Sequence, residues 1–183
     1  MSLQDYVVEK PVIETEQLLL RKLVSQDVSD LKEWLSDASL YQYWGKRPSK
    51  SDLNPELLFQ KEDKLTKSFH WGIVHKKDQK VIGECWVYLI ENNRMAKVSY
   101  RLSHAYQGQG LMAEALNGVV DFCFKETELQ RLWADVDIRN VASYKTLEKS
   151  GFTREGLVRQ GKMVSTYCDY YLYGILKSDY LER

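Results

Sequence analysis

Two periodicities divide this chain, and the switches between them mark its elements. Residues 17–23 form an apolar run that predicts a strand. A 3.6-residue pattern over 28–36 then predicts a helix, with Ser25 or Asp27 placed to cap it. Trp34, Tyr41, Tyr43 and Trp44 crowd a short region that ends at Pro48. Asn54-Pro55-Glu56 supplies cap, first-turn proline and first-turn acid for a second helix, over about 54–65. Residues 68–75 and 80–90 read as strands joined by the polar turn Lys76-Lys77-Asp78-Gln79.

Asn92-Asn93 marks a second hairpin turn, because asparagine tolerates positive φ. A symmetric hairpin about that turn places Glu84 opposite Arg101, Trp86 opposite Ser99 and Tyr88 opposite Lys97, all on one face. Cys85, Val87 and Leu89 then share the other, apolar face with Val98, Tyr100 and Leu102. After Gly110 a long helix to about residue 124 carries Leu111, Ala115, Val119, Phe122 and Cys123 on one side. Residues 131–138 predict a strand, Asn140 caps a helix that stops at Gly151, and Phe152 follows as the hydrophobic contact after a glycine stop. The tyrosine-rich tail over 162–176 is strand-like. The order β-α-α-β-β-β-α-β-α-β-β makes this a mixed α/β domain, a largely antiparallel sheet with flanking helices and one crossover helix.

The 183 residues suffice for one domain over 1–183 with a single sizeable core, and 44% hydrophobic with 12% aromatic content describes a globular chain. Lys+Arg 26 against Asp+Glu 26 leaves no net charge, which argues against a nucleic-acid or membrane surface. No apolar run approaches membrane-spanning length and the first residues lack a signal-peptide pattern, so a cytoplasmic location is expected. Cys85, Cys123 and Cys168 fall inside predicted elements and read as reduced, buried thiols. His70, His75 and His104 have no metal-ligand spacing with one another or with cysteine, so no metal is expected.

The most informative stretch is Gln107-Gly108-Gln109-Gly110-Leu111-Met112-Ala113-Glu114-Ala115. Two glycines between a strand and a helix let backbone N–H groups approach an anion closely, and the helix N-terminus adds partial positive charge. A phosphate-bearing ligand suits such a junction. Some thirty residues on comes Asn140-Val141-Ala142-Ser143-Tyr144, leading to Gly151-Phe152. Together the two motifs resemble the GNAT superfamily of acyl-CoA-dependent N-acetyltransferases, in particular the branch of the ribosomal-protein N-terminal acetyltransferases. The family's pyrophosphate loop has the pattern Q/R-x-x-G-x-G/A, which Gln107 to Met112 fits except that Met112 replaces the small last residue.

The resemblance covers about 17–176 and implies a fold whose strands splay around the pantetheine arm of CoA. Acetyl-CoA would be the cosubstrate and an amine the acceptor, either a protein N-terminus or a small molecule. It implies that Ser99, Arg101, Leu102, Gln107, Gly108, Gln109, Gly110, Leu111, Met112, Ala113, Asn140 and Ser143 meet CoA, and that Ser143 serves as acid, with Tyr144 the other candidate. In many relatives a glutamate on the strand before the loop is the base, and here that place holds Lys97. Glu84 is then the remaining carboxylate on the polar face. It is a base or amine-binding group on one reading and a cross-strand ion pair with Arg101 on the other. Trp34, Tyr43 and Trp44 are candidate walls of the acceptor pocket, or packing.

Two competing readings remain. Gly108-x-Gly110-x-x-Ala113 also spells a dinucleotide fingerprint, with Asp135 or Asp137 near the distance of its ribose-binding acid. Against it, five residues separate the strand from Gly108, and too little chain follows Asn140 to complete a doubly wound sheet. A non-catalytic acyl-CoA sensor would share every CoA feature. Oligomeric state is not readable.

Overall fold

The computed structural model describes residues 10–46, 48–56 and 68–182, without the side chains of 51, 52, 89 and 90. Eight strands form one sheet: β1 (Ile13–Glu14), β2 (Leu18–Arg21), β3 (Phe69–His75), β4 (Lys80–Glu91), β5 (Met95–Leu102), β6 (Arg131–Asp137), β7 (Thr153–Met163) and β8 (Thr166–Leu176). Their spatial order is β1-β2-β3-β4-β5-β6-β8-β7. Every neighbouring pair is antiparallel except β5–β6. One parallel pair in an otherwise antiparallel sheet is incompatible with a doubly wound dinucleotide fold.

The helices are α1 (Val28–Trp34), α2 (Lys50–Leu53), α3 (Leu111–Glu126), α4 (Val141–Lys149) and α5 (Lys177–Leu181). The expected helix over 54–65 lies largely outside the described residues. At its start Asn54 Oδ1 accepts from Glu56 N at 3.0 Å. Neither expected cap of α1 acts as one. The Asp27 carboxylate accepts from Val24 N at 2.7 Å and pairs with Arg21 Nη1 at 2.8 Å, because an arginine fork outcompetes one backbone donor.

The β4–β5 hairpin has the expected register: Glu84 faces Arg101, Trp86 faces Ser99 and Tyr88 faces Lys97. The turn fixes it, with Asn92 and Asn93 at φ 48° and 56°. Cys85, Val87 and Val98 are buried on the opposite face, while the side chain of Leu89 lies outside the described residues. That apolar face packs on α3, which buries Leu111, Met112, Ala115, Leu116, Val119, Val120, Phe122, Cys123 and Phe124. Fully burying each valine, leucine, methionine or phenylalanine among them stabilises by roughly 1.5–3 kcal/mol. Glu114 in the first turn of α3 accepts from Thr15 Oγ1 at 2.6 Å and Gln17 N at 2.7 Å, tying the helix start to the β1–β2 corner.

One feature of the sheet decides where a ligand can go. β5 and β6 pair only at Met95–Arg131, Ala96–Leu132 and Lys97–Trp133. Beyond Lys97 they diverge, because β5 follows β4 while β6 follows β8 through seven pairs, from Arg131–Leu176 to Asp137–Tyr170. The parting leaves a fork open toward the glycine loop.

Candidate active site

A cavity of about 1240 Å³ fills the fork. Its floor at one end is the loop from Gln107 to Gly110. Gln107 Nε2 donates to Leu102 O at 2.9 Å and braces that loop against the strand before it. Gly108 and Gly110 adopt φ 78° and 81°, and a Cβ on either would meet nothing within 4 Å. The left-handed backbone explains the glycines. The open space before both is what close approach of a pyrophosphate requires, and the N-terminus of α3 adds its dipole. Lys145 and Lys149 of α4 border the same cavity and supply positive charge. These residues fit CoA.

Of the residues expected to meet CoA, Ser99, Arg101, Leu102, Gln107, Gly108, Gly110, Leu111, Met112, Ala113, Asn140 and Ser143 all border the cavity. Gln109 is exposed, does not border it, and donates from Nε2 to Ala105 O at 3.3 Å. Met112 is 7% exposed and packs in the core, so its bulk is absorbed there while one side touches the cavity.

Asn140 Oδ1 accepts from Ser143 N at 3.2 Å, fixing the first turn of α4 beside the fork. Tyr100, missed by the sequence reading, reaches across from β5: its hydroxyl donates to Ser143 O at 2.9 Å and lies 3.2 Å from Ser143 Oγ. Burial pushes the Tyr100 phenol upward, so it stays protonated at neutral pH. Tyr144 does not border the cavity. Its ring meets Tyr171 edge-on at 6.0 Å, and it packs against the core.

Glu84 is fully buried and does not border the cavity. Oε2 accepts from Arg101 Nε at 2.5 Å and also from Nη2, and Oε1 lies 2.8 Å from His70 Nε2. Burial pushes this carboxyl up, but Arg101 and His70 together outweigh it and hold its pKa below the ordinary value. A buried carboxylate engaged at both oxygens cannot take a proton from an acceptor, so the expectation of a base at Glu84 is corrected: the group is an ion pair. Arg101 in turn donates from Nη1 to Tyr41 Oη at 2.8 Å and lies 5.0 and 5.2 Å from the Trp44 and Trp86 rings. The pair thereby anchors the aromatic 41–44 segment over the sheet.

Tyr43 and Trp44 border the cavity; Trp34 does not. Its indole is 6% exposed and donates to Val81 O at 3.0 Å, packed with Leu23, Leu31 and Leu35. The 3.6-residue period of α1 turns that side chain onto the sheet, which corrects its place as a pocket wall. Across the cavity mouth, Ser165 N and Oγ donate to Gly45 O at 2.9 and 3.0 Å, so the aromatic segment is strapped to the β7–β8 hairpin.

At the apex of the fork sits a cluster that the sequence reading did not assemble. Lys97 Nζ pairs with Asp135 Oδ1 at 2.5 Å and lies 5.0 Å from the Trp133 ring and 5.8 Å from Tyr88. The signal was present in the alternation of β6, where Arg131, Trp133, Asp135 and Asp137 share the face opposite Leu132, Ala134 and Val136. Asp137 is clamped by Arg139, whose Nε and Nη2 lie 2.8 and 2.6 Å from its oxygens; these bonds keep its carboxyl below the usual range. Among the described residues no group of three or more metal-ligating side chains occurs, and no helix is long and apolar enough to cross a membrane.

Comparison with known proteins agrees with this geometry. The profile of the family described as Acetyltransferase (GNAT) domain matches residues 17–153. The N-acetyltransferase p20 of Bacillus licheniformis, named as uncharacterized, is 29% identical over 171 residues, 91% of this chain and 96% of that one. The spermidine N(1)-acetyltransferase of Vibrio cholerae is 28% identical over 173 residues, 91% of this chain and 97% of that one. Among solved structures, the ribosomal-protein-S5-alanine acetyltransferase of Vibrio fischeri superimposes with a TM-score of 0.75 at 25% identity, covering 93% of this chain and 98% of that one.

Proposed function

The chain belongs to the GNAT acetyltransferase family and is an acyltransferase that uses acetyl-CoA; from that premise we propose direct acetyl transfer to a primary amine in a ternary complex. The acceptor is a protein N-terminus or a small-molecule amine; similar proteins are named for an alanine of ribosomal protein S5 and for spermidine. The observation that carries the proposal is the fork itself: a glycine loop with open space before it at one end, Asn140 and Ser143 along one side, and an aromatic mouth at the other.

In this reading the backbone of 107–113 and the N-terminus of α3 bind the pyrophosphate, with Lys145 and Lys149 balancing its charge. The unpaired side of β5 beyond Lys97 offers backbone groups to the pantetheine amides. An amine nitrogen attacks the thioester carbonyl carbon, the C–S bond breaks, and the thiolate takes a proton from Ser143, whose hydroxyl is backed by Tyr100. Tyr144 packs against the core and does not border the cavity, which favours Ser143 as the donor. A reading as a non-catalytic sensor predicts the same binding without turnover.

Thermal shift and thiol release test the proposal. The melting temperature rises with CoA and acetyl-CoA and stays flat with NAD and NADP, since a ligand stabilises only the state that binds it. Thiol release from acetyl-CoA then accelerates when a primary amine is supplied. Stabilisation by NAD with no response to CoA overturns the proposal, and so does CoA binding without turnover across a broad amine panel.

A further inference from the structure

Transfer to an amine is aided by a group that receives the acceptor's ammonium and draws off a proton; Lys97 is itself a cation, and Glu84 is buried and does not border the cavity. Among the described residues Asp135 is the remaining carboxylate at the apex. It lies on β6, two residues past Trp133 and therefore on the same face, beyond the last β5–β6 pair. Its side chain is 19% exposed and borders the cavity, whereas that of Asp137 is 2% exposed and clamped by Arg139. Lys97 holds it at 2.5 Å, and the Lys97 ammonium itself lies 5.8 Å from the Tyr88 ring and 5.0 Å from the Trp133 ring, so the carboxylate is held from β5 beside an aromatic flank.

We propose that Asp135 is the group that receives the acceptor ammonium at the fork, and that the acceptor is an amine of single charge with an apolar body. Its second half rests on the lining toward the mouth. Tyr43, Trp44, Trp86, Tyr88, Met163 and Val164 offer flat and apolar surface. Among the described residues Arg101 is already paired with Glu84, and Asp137, the other carboxylate bordering that end, is clamped by Arg139, so beyond Asp135 a chain of several ammonium groups would find no second carboxylate open to it. In the reaction the ammonium of the acceptor gives one proton to the Asp135 carboxylate, which passes it to solvent. The nitrogen lone pair forms the C–N bond, the C–S electrons leave with sulfur, which takes the Ser143 proton, and the second nitrogen proton, shed as the amide forms, returns through solvent to Ser143. This assignment rests on the acetyltransferase reading above and deepens it.

The test uses the full chain with acetyl-CoA and two acceptors, 2-phenylethylamine and spermidine. Calorimetry with acetyl-CoA comes first: no binding there is failure of the acetyltransferase reading itself. With acetyl-CoA bound, wild type transfers to 2-phenylethylamine with kcat/KM at least tenfold above spermidine. Asp135→Asn raises KM for 2-phenylethylamine at least tenfold while its affinity for acetyl-CoA stays within twofold, and Asp135→Glu recovers part of the loss. A merely structural role for the Lys97–Asp135 pair would instead weaken both substrates together, which overturns the assignment. Preference for spermidine, or no transfer to 2-phenylethylamine by an acetyl-CoA-binding wild type, overturns it on the wild-type protein alone.

Discussion

Replacing Glu84 by Gln is expected to be among the most destabilising conservative changes in this fold. Glutamine keeps the shape and removes the charge, leaving the Arg101 guanidinium, 5% exposed, beside a neutral amide. Of the bonds Arg101 makes, only that to Tyr41 is untouched. Breaking a buried pair by removing one partner costs ~3–5 kcal/mol, because the surviving charge remains buried. The lower figure already corresponds to about two decades in the folding equilibrium.

The pH dependence gives a second, independent reading of the same pair. The folded Glu84 pKa lies below the ordinary carboxylate value. Its stabilisation is therefore complete above the unfolded value and is lost as pH falls through the lower folded value. Urea unfolding of wild type and Glu84→Gln across this acid range isolates the contribution of Glu84, since Asp137 and Glu155 add the same slope to both proteins. The gap between the two proteins narrows as the solution is acidified. The double variant, Glu84→Leu with Arg101→Met, recovers much of the loss, because no uncompensated charge is left. A loss below about 1 kcal/mol at neutral pH, with parallel acid profiles, would show that the pair does not hold the sheet face as argued.

Two further changes bear on binding and chemistry. Gly110→Ala places a methyl in the space before the loop and a side chain at φ 81°, so acetyl-CoA affinity falls at least ~10-fold, about 1.4 kcal/mol, with a loss of ~1–2 kcal/mol in stability; unchanged calorimetric affinity in the folded variant refutes the loop's role. Ser143→Ala lowers kcat by roughly 10²-fold with a smaller change in KM for acetyl-CoA, while Tyr144→Phe leaves kcat nearly intact, and the reverse pattern in steady-state kinetics moves the acid to Tyr144.

Local rules carried much of this fold. The β4–β5 register followed from two asparagines and a face-by-face segregation, and Gly110, Asn140 and Gly151 each stand where a helix begins or ends, Gly151 at φ 80°. What escaped depends on which element lies beside which. Periodicity assigned Glu84 to the polar face but could not tell that His70 of β3 and the 41–44 segment bury that face there. The same limit applied to Trp34, whose helix covers the sheet rather than the mouth. The insertion of β8 between β6 and β7 draws β6 away from β5, and no local pattern records it. Without that divergence in view, Asp135 was one of two acids at a convenient sequence distance rather than the partner of Lys97.

The parting of β5 from β6 also leaves a backbone question. Among the described residues, 98–102 pair with β4 on one side only, and past Trp133 the facing side of β6 is likewise without a strand partner. Such peptide groups must be satisfied by something other than a ladder. An open strand edge on the outside of a molecule invites pairing with another chain, but these two edges confront each other inside a cleft strapped across its mouth. Hydrogen exchange should therefore be heterogeneous within single strands. Amides of β5 directed at β4 are protected, those directed into the fork exchange readily, and the latter slow when acetyl-CoA is added, a residue-by-residue footprint of where the cosubstrate completes the sheet.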